Sequence, residues 1–160
     1  MKIKLLMRER PLNIQASDRH PKLLLNSGDN AMADNHRLKY LRIALILVGI
    51  IFLVGIYPLM IIWPSGWTWH TGHSDYPMMI VGIYATLGVF LIMAAREPLE
   101  HLSLIWFTVW SSLVHGAIMA VQSFEAPENH GHMLGDVPAL LFVAVLLAVL
   151  TPRGERARVR

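Results

Sequence analysis

The chain contains no cysteine. That absence excludes disulfides, thiolate metal sites, iron–sulfur clusters and cysteine nucleophiles, and it leaves the redox compartment open. Charge is nearly as scarce through the middle of the chain. Of the 14 Lys and Arg, nine lie at or before Arg42 and four at or after Arg153, so residues 43–152 hold only Arg96. Charged residues make up 16% of the chain, against about 25% in ordinary soluble domains. A pI near 9.5 would suit a nucleic-acid partner if the basic residues formed a patch. Here they flank long apolar runs, which is the placement of membrane-side anchors, so no nucleic acid is expected and the lipid bilayer is the first partner.

What is present is apolar: 54% of the residues, with a mean hydropathy of +0.46. Four segments carry it, at 43–63, 77–95, 102–122 and 133–151, the last strictly apolar only over 137–151. At about 1.5 Å per helical residue, 20 residues cross a hydrocarbon core of roughly 30 Å. The expected fold is therefore all-α, an integral membrane four-helix bundle over residues 36–152. Pro58 should kink the first helix. Gly49, Gly55, Gly82, Gly88 and Gly116 lie inside segments, where small residues let helices approach closely.

Residues 1–35 read as an N-terminal arm. Residues 1–31 lack apolar periodicity and are expected to be disordered. Met32 opens Met-Ala-Asp-Asn-His-Arg directly before the first helix, so the alternative is that the true start lies there. Lys2 and Lys4 precede only a short apolar patch that Arg8, Glu9 and Arg10 break, which does not fit a signal peptide. Residues 153–160 form a basic tail.

Arg37, Lys39 and Arg42 precede the first helix, Arg96 lies between the second and third, and Arg153, Arg156, Arg158 and Arg160 follow the fourth. The loops at 64–76 and 123–136 contain no Lys or Arg. The positive-inside rule then places both termini in the cytoplasm and both longer loops outside. Trp63, Trp67 and Trp69 fall at the outer headgroup level.

The two outer loops read alike. One runs Gly72-His73-Ser74-Asp75-Tyr76-Pro77 and the other Gly131-His132-Met133-Leu134-Gly135-Asp136-Val137-Pro138, with a second histidine upstream at His70 and His130. A parallel 2+2 internal repeat is one explanation. Asp75 and Asp136 stand where helix N-caps stand. The histidine spacing also allows a metal site: His70, His73, His130 and His132, with Asp75 and Asp136, would take one divalent transition metal above the bundle centre. The alternative is that these histidines are simply solvated.

The third segment carries a polar stripe of Thr108, Ser111, Ser112, His115 and Gln122. His115 lies about 10 Å below the outer end of its helix. An ionisable residue at that depth is a functional-site candidate, with Tyr84 at matching depth as its hydrogen-bond partner. Tyr84, Ser111, Ser112 and His115 are thus the candidate cofactor-binding group, or else interhelical glue. Haem is disfavoured, because no second segment offers a histidine. The nine methionines are too scattered for a copper ladder.

The Trp-rich first loop with its Gly72-to-Pro77 run, the stretch Trp110-Ser111-Ser112-Leu113-Val114-His115 and the entry Gly135-Asp136-Val137-Pro138 together resemble a family of small bacterial four-helix membrane proteins of unknown function. The resemblance covers about residues 36–152. It implies the fold and a multi-pass place in the bacterial inner membrane, and no activity. Two functions remain open: an outer face that binds a cation or relays protons through His115, or a structural subunit of a homo-oligomer or larger membrane complex. A catalytic role lacks any cofactor fingerprint, and four short helices leave little room for alternating access unless the chain oligomerises.

Overall fold

The computed structural model describes residues 20–68 and 75–152, with side chains from residue 32 onward. Six α-helices follow one another: α1 (His20–Ile50), α2 (Ile56–Ile62), α3 (Pro64–Trp67), α4 (Tyr76–Ala94), α5 (Leu102–Glu125) and α6 (Asp136–Leu150). A π-helical segment, Ile51–Gly55, joins α1 to α2, and a 3₁₀ helix, Pro127–Met133, precedes α6. No strand occurs among the described residues. Among the described residues four stretches are long and apolar enough to cross a membrane: Met32–Ile62, Tyr76–Ala94, Leu102–Glu125 and Pro127–Leu150. The protein is a multi-pass membrane protein.

The chain divides into two units between residues 35 and 36. Residues 20–31, expected to be disordered, are helical instead. Pro21 sits in the first turn, where its missing N–H costs nothing, and no further proline follows it until Pro58. Residues 1–19 and the basic tail at 153–160 lie outside the described residues.

The π segment has a local cause. Pro58 has no N–H to offer, and its ring crowds the carbonyl one turn back. The helix absorbs this by widening just before it, so that Ile56 N–H reaches the Ile51 carbonyl across five residues rather than four. One turn earlier, α1 meets α4 with almost no space between their backbones. A Cβ built on Gly88 would stand 2.5 Å from the Gly49 carbonyl oxygen, and one on Gly49 would stand 2.8 Å from the Gly88 carbonyl oxygen. Only glycine fits on both sides of that crossing.

The main core lies toward the end of the bundle that carries the chain turn at 95–101. Leu41, Leu45 and Val48 of α1 and Phe52 of the π segment pack with Leu91, Ile105, Val109, Val143 and Leu147. At the opposite end only Met119, Val137 and Leu140 form a small second cluster. There α4 leans on the π segment while α5 leans on α6. The two pairs separate toward this loop end.

Backbone is the contact surface at both ends. Arg37 spreads its guanidinium across the end of α6: Nε donates to the Leu150 carbonyl at 3.1 Å, and Nη2 donates to the carbonyls of Val149 and of Thr151, the latter at 3.2 Å. These are orphan acceptors at the negative end of the helix dipole, where a cation is favoured. At the loop end, the 3₁₀ segment and its following turn lie against α3. Any Cβ on Gly131 or Gly135 would run into the backbone of Ser65 or Gly66, so the second loop seats on the first through bare backbone.

Candidate functional site

Tyr84 and His115 meet between α4 and α5. The Tyr84 hydroxyl and His115 Nδ1 are 3.2 Å apart, the hydroxyl donating when the imidazole carries its proton on Nε2. Helical rise puts both about 12–15 Å from the loop-end termini of their helices. That agreement in depth is what lets them reach each other. Phe52, in the π segment of the first span, meets the Tyr84 ring edge-on with centroids 4.9 Å apart and planes at 83°. Three spans are therefore linked at one level by Phe52, Tyr84 and His115. The other hydroxyls of the α5 stripe turn to their own helix: Thr108 Oγ1 donates to the Leu104 carbonyl at 2.9 Å and Ser111 Oγ to the Thr108 carbonyl at 3.3 Å. Such back-bonding is the cheapest way to satisfy a hydroxyl in an apolar environment. Ser112 is buried. Ser111 and Ser112 are thus placed beside His115 in sequence, but only Tyr84 shares a hydrogen bond with it.

Asp136 is the first residue of α6, and only 5% of it is exposed. Its Oδ2 accepts a hydrogen bond from Nδ1 of His132, itself 1% exposed, at 2.9 Å. The pair straddles the junction of the 3₁₀ helix and α6, four residues apart. The Asp136 carboxylate also lies within coulombic range of both Tyr84 and His115.

Tyr84, His115 and Asp136 line one cavity of about 1470 Å³, larger than the roughly 300–1,000 Å³ of a usual small-molecule pocket. It fills the space left where the α1–α4 and α5–α6 pairs separate. Its deep walls are apolar, from Val48, Ile80, Leu140 and Val143 among others, and Leu47 and Phe142 carry one side of it to the lipid-facing surface. Toward the loops it is lined by Glu125, Glu128 and Asp136, and by Trp67, whose buried indole N–H finds no acceptor among the described residues. Among the described residues no Lys or Arg lines it.

The expected metal ligands are brought together only in part. His70 and His73 lie outside the described residues. His130 and Asp75 are exposed, and Asp75 stands at the α4 N-cap position without a side-chain cap hydrogen bond. His132 and Asp136 contact each other. No group of three or more His, Asp or Glu among the described residues is placed to hold a metal ion. The capping expectation is also corrected for the second loop, where the N-cap is Gly135 and Asp136 sits one position inside the helix. Sequence reasoning missed three things: the Arg37 cap, the glycine seat between the loops, and the acidic cavity. The His132–Asp136 spacing of four residues was the one available signal for the buried pair.

Four apolar spans around an acid-lined cavity with a Tyr–His hydrogen bond on its wall define the class: a small multi-pass membrane protein with an internal polar site. The chain belongs to DUF6632, a family of unknown function, whose model matches residues 35–158. The match opens where the second compact unit does, at residues 35–36. No curated protein and no solved structure matches the chain.

Proposed function

We propose that this protein is a membrane-embedded binding protein whose site is the cavity between its spans. The observation that carries this reading is the cavity itself, about 1470 Å³ with apolar deep walls and with Tyr84, His115 and Asp136 as its fixed polar groups. A site built this way takes a mostly apolar molecule and orients it through a few hydrogen bonds. The side of the cavity that reaches Leu47 and Phe142 admits a ligand from the bilayer. The proposed setting is the bacterial inner membrane with both termini cytoplasmic, on the strength of the flanking basic residues.

The test is saturable photolabelling of the full chain in lipid nanodiscs with a neutral diazirine-bearing alkyl alcohol. Cross-links at Tyr84, His115, Met119 and Leu140 should compete away with excess unlabelled alcohol, and those on exposed residues such as Phe107 or Val145 should not. Labelling confined to lipid-facing residues, with nothing competed, overturns the reading.

A further inference from the structure

The charge and aromatic content of the cavity wall narrow the ligand class, and the narrower statement rests on the binding reading above. Among the described residues three carboxylates line the cavity, those of Glu125, Glu128 and Asp136, and no Lys or Arg does. Even with His132 protonated against Asp136, the wall keeps net negative charge. Around the same space stand the aromatic rings of Phe52, Trp67, Tyr76 and Tyr84. Ring faces attract cations, and more strongly where water is excluded. Below them the wall is hydrocarbon.

From this combination we infer that the cavity binds lipophilic organic cations, amphipathic amines or quaternary ammonium and phosphonium ions, with the charged centre among the aromatic rings and carboxylates and the apolar substituents against Val48, Leu140 and Val143. An inorganic cation is a poorer fit, because no three ligating groups converge among the described residues and the deep walls offer it nothing. An anionic amphiphile, such as a fatty acid or a phospholipid headgroup, meets three like charges and no Lys or Arg among the described residues. The polar groups divide the work by depth. Glu125 and Glu128 are exposed and raise the local concentration of cations at the mouth, while buried Asp136 acts inside, where its field is least screened.

The test uses the full chain in a neutral detergent with three probes of similar size and shape: tetraphenylphosphonium, neutral triphenylphosphine oxide and anionic tetraphenylborate. Equilibrium dialysis should show saturable binding of about one tetraphenylphosphonium per chain, at least tenfold tighter than either other probe. Glu125→Gln with Glu128→Gln should weaken it severalfold and reduce its salt dependence. Asp136→Asn, which keeps an acceptor for His132, should weaken it further with the bundle still folded by circular dichroism. Ala139→Trp, which places an indole in the cavity, should abolish it. If all three probes bind alike and Ala139→Trp blocks them all, the cavity binds ligands and the cation inference is wrong. Saturable phosphonium binding that survives Ala139→Trp places the site elsewhere and also overturns it. If none of the three binds saturably, both readings fail.

Discussion

At the Arg37 guanidinium, a charge on the edge of the apolar zone is matched to three carbonyl oxygens at the end of α6. The planar fork matters more than the charge. Several donors in one plane can reach successive carbonyls, whereas an ammonium is a single point. Arg37→Met should therefore lower stability by about 1.5–3 kcal/mol, the range for hydrogen bonds to a charged group, and Arg37→Lys should recover less than half of that. Reversible unfolding in mixed detergent gives both numbers, and equal stability of all three chains would show that water serves those carbonyls as well. The Tyr84–His115 contact is a milder case. Interhelical hydrogen bonds in membranes are worth roughly 0.6 kcal/mol on average, because the unfolded helices also find partners. A double-mutant cycle with Tyr84→Phe and His115→Leu should give a coupling of about 0.5–1.5 kcal/mol. A value near zero would mean that the two side chains only adjoin.

How far the sequence could be read also divides at the residue level. His115 and Tyr84 were legible because depth along a helix is simple arithmetic from its ends, and two polar groups at one depth in lipid must find each other. The role of Arg37 was not, because its acceptors are backbone carbonyls, which no residue type marks. The same holds for Gly131 and Gly135. They drew attention as neighbours of histidines, while the structure uses them as bare backbone against Ser65 and Gly66. The polar stripe of α5 was read as a surface for partner helices, yet Thr108 and Ser111 bond within their own helix.

Elements were legible where hydropathy alone defines them. The second and third spans begin within a residue of their expected starts, at Tyr76 and Leu102. The first and fourth departed for backbone reasons: the first carries a π segment before Pro58, and the fourth breaks at Leu134–Gly135 between a 3₁₀ helix and α6. The first three predicted spans held five glycines, but only the structure separates their roles. Gly49 and Gly88 form the α1–α4 crossing, whereas Gly82 has nothing within 4 Å of a built Cβ. Gly88→Val should thus force the two spans apart at a cost of about 1–3 kcal/mol or more. Gly82→Ala, on the same helix, should be neutral or gain up to about 1 kcal/mol. Thermal unfolding of the two variants side by side makes the comparison, and similar losses in both would remove the crossing as the explanation.

Across the four spans, tight packing and open space lie toward opposite ends. The large buried cluster gathers toward the Arg37 end and the cavity widens toward the loop end, and the two meet at Val48, Phe52 and Val143, which belong to both. The Pro58 distortion and the seating of the second loop on α3 both occur at the loop end, which is where the helix pairs separate. The direction in which this asymmetry faces decides what can reach the acidic mouth. Arg37, Lys39 and Arg42 in α1 and Arg96 between α4 and α5 lie at the packed end, so the positive-inside rule predicts that the mouth, with Glu125 and Glu128, faces outside. The cysteine-free chain makes this directly measurable. Leu134, 76% exposed in the second loop, can be changed to Cys, and so in a separate chain can exposed Arg96. A membrane-impermeant maleimide added to intact cells should label Leu134→Cys and leave Arg96→Cys unreacted until the cells are opened. The reverse pattern would turn the mouth to the cytoplasm, and any ligand arriving from water would then be a cytoplasmic one.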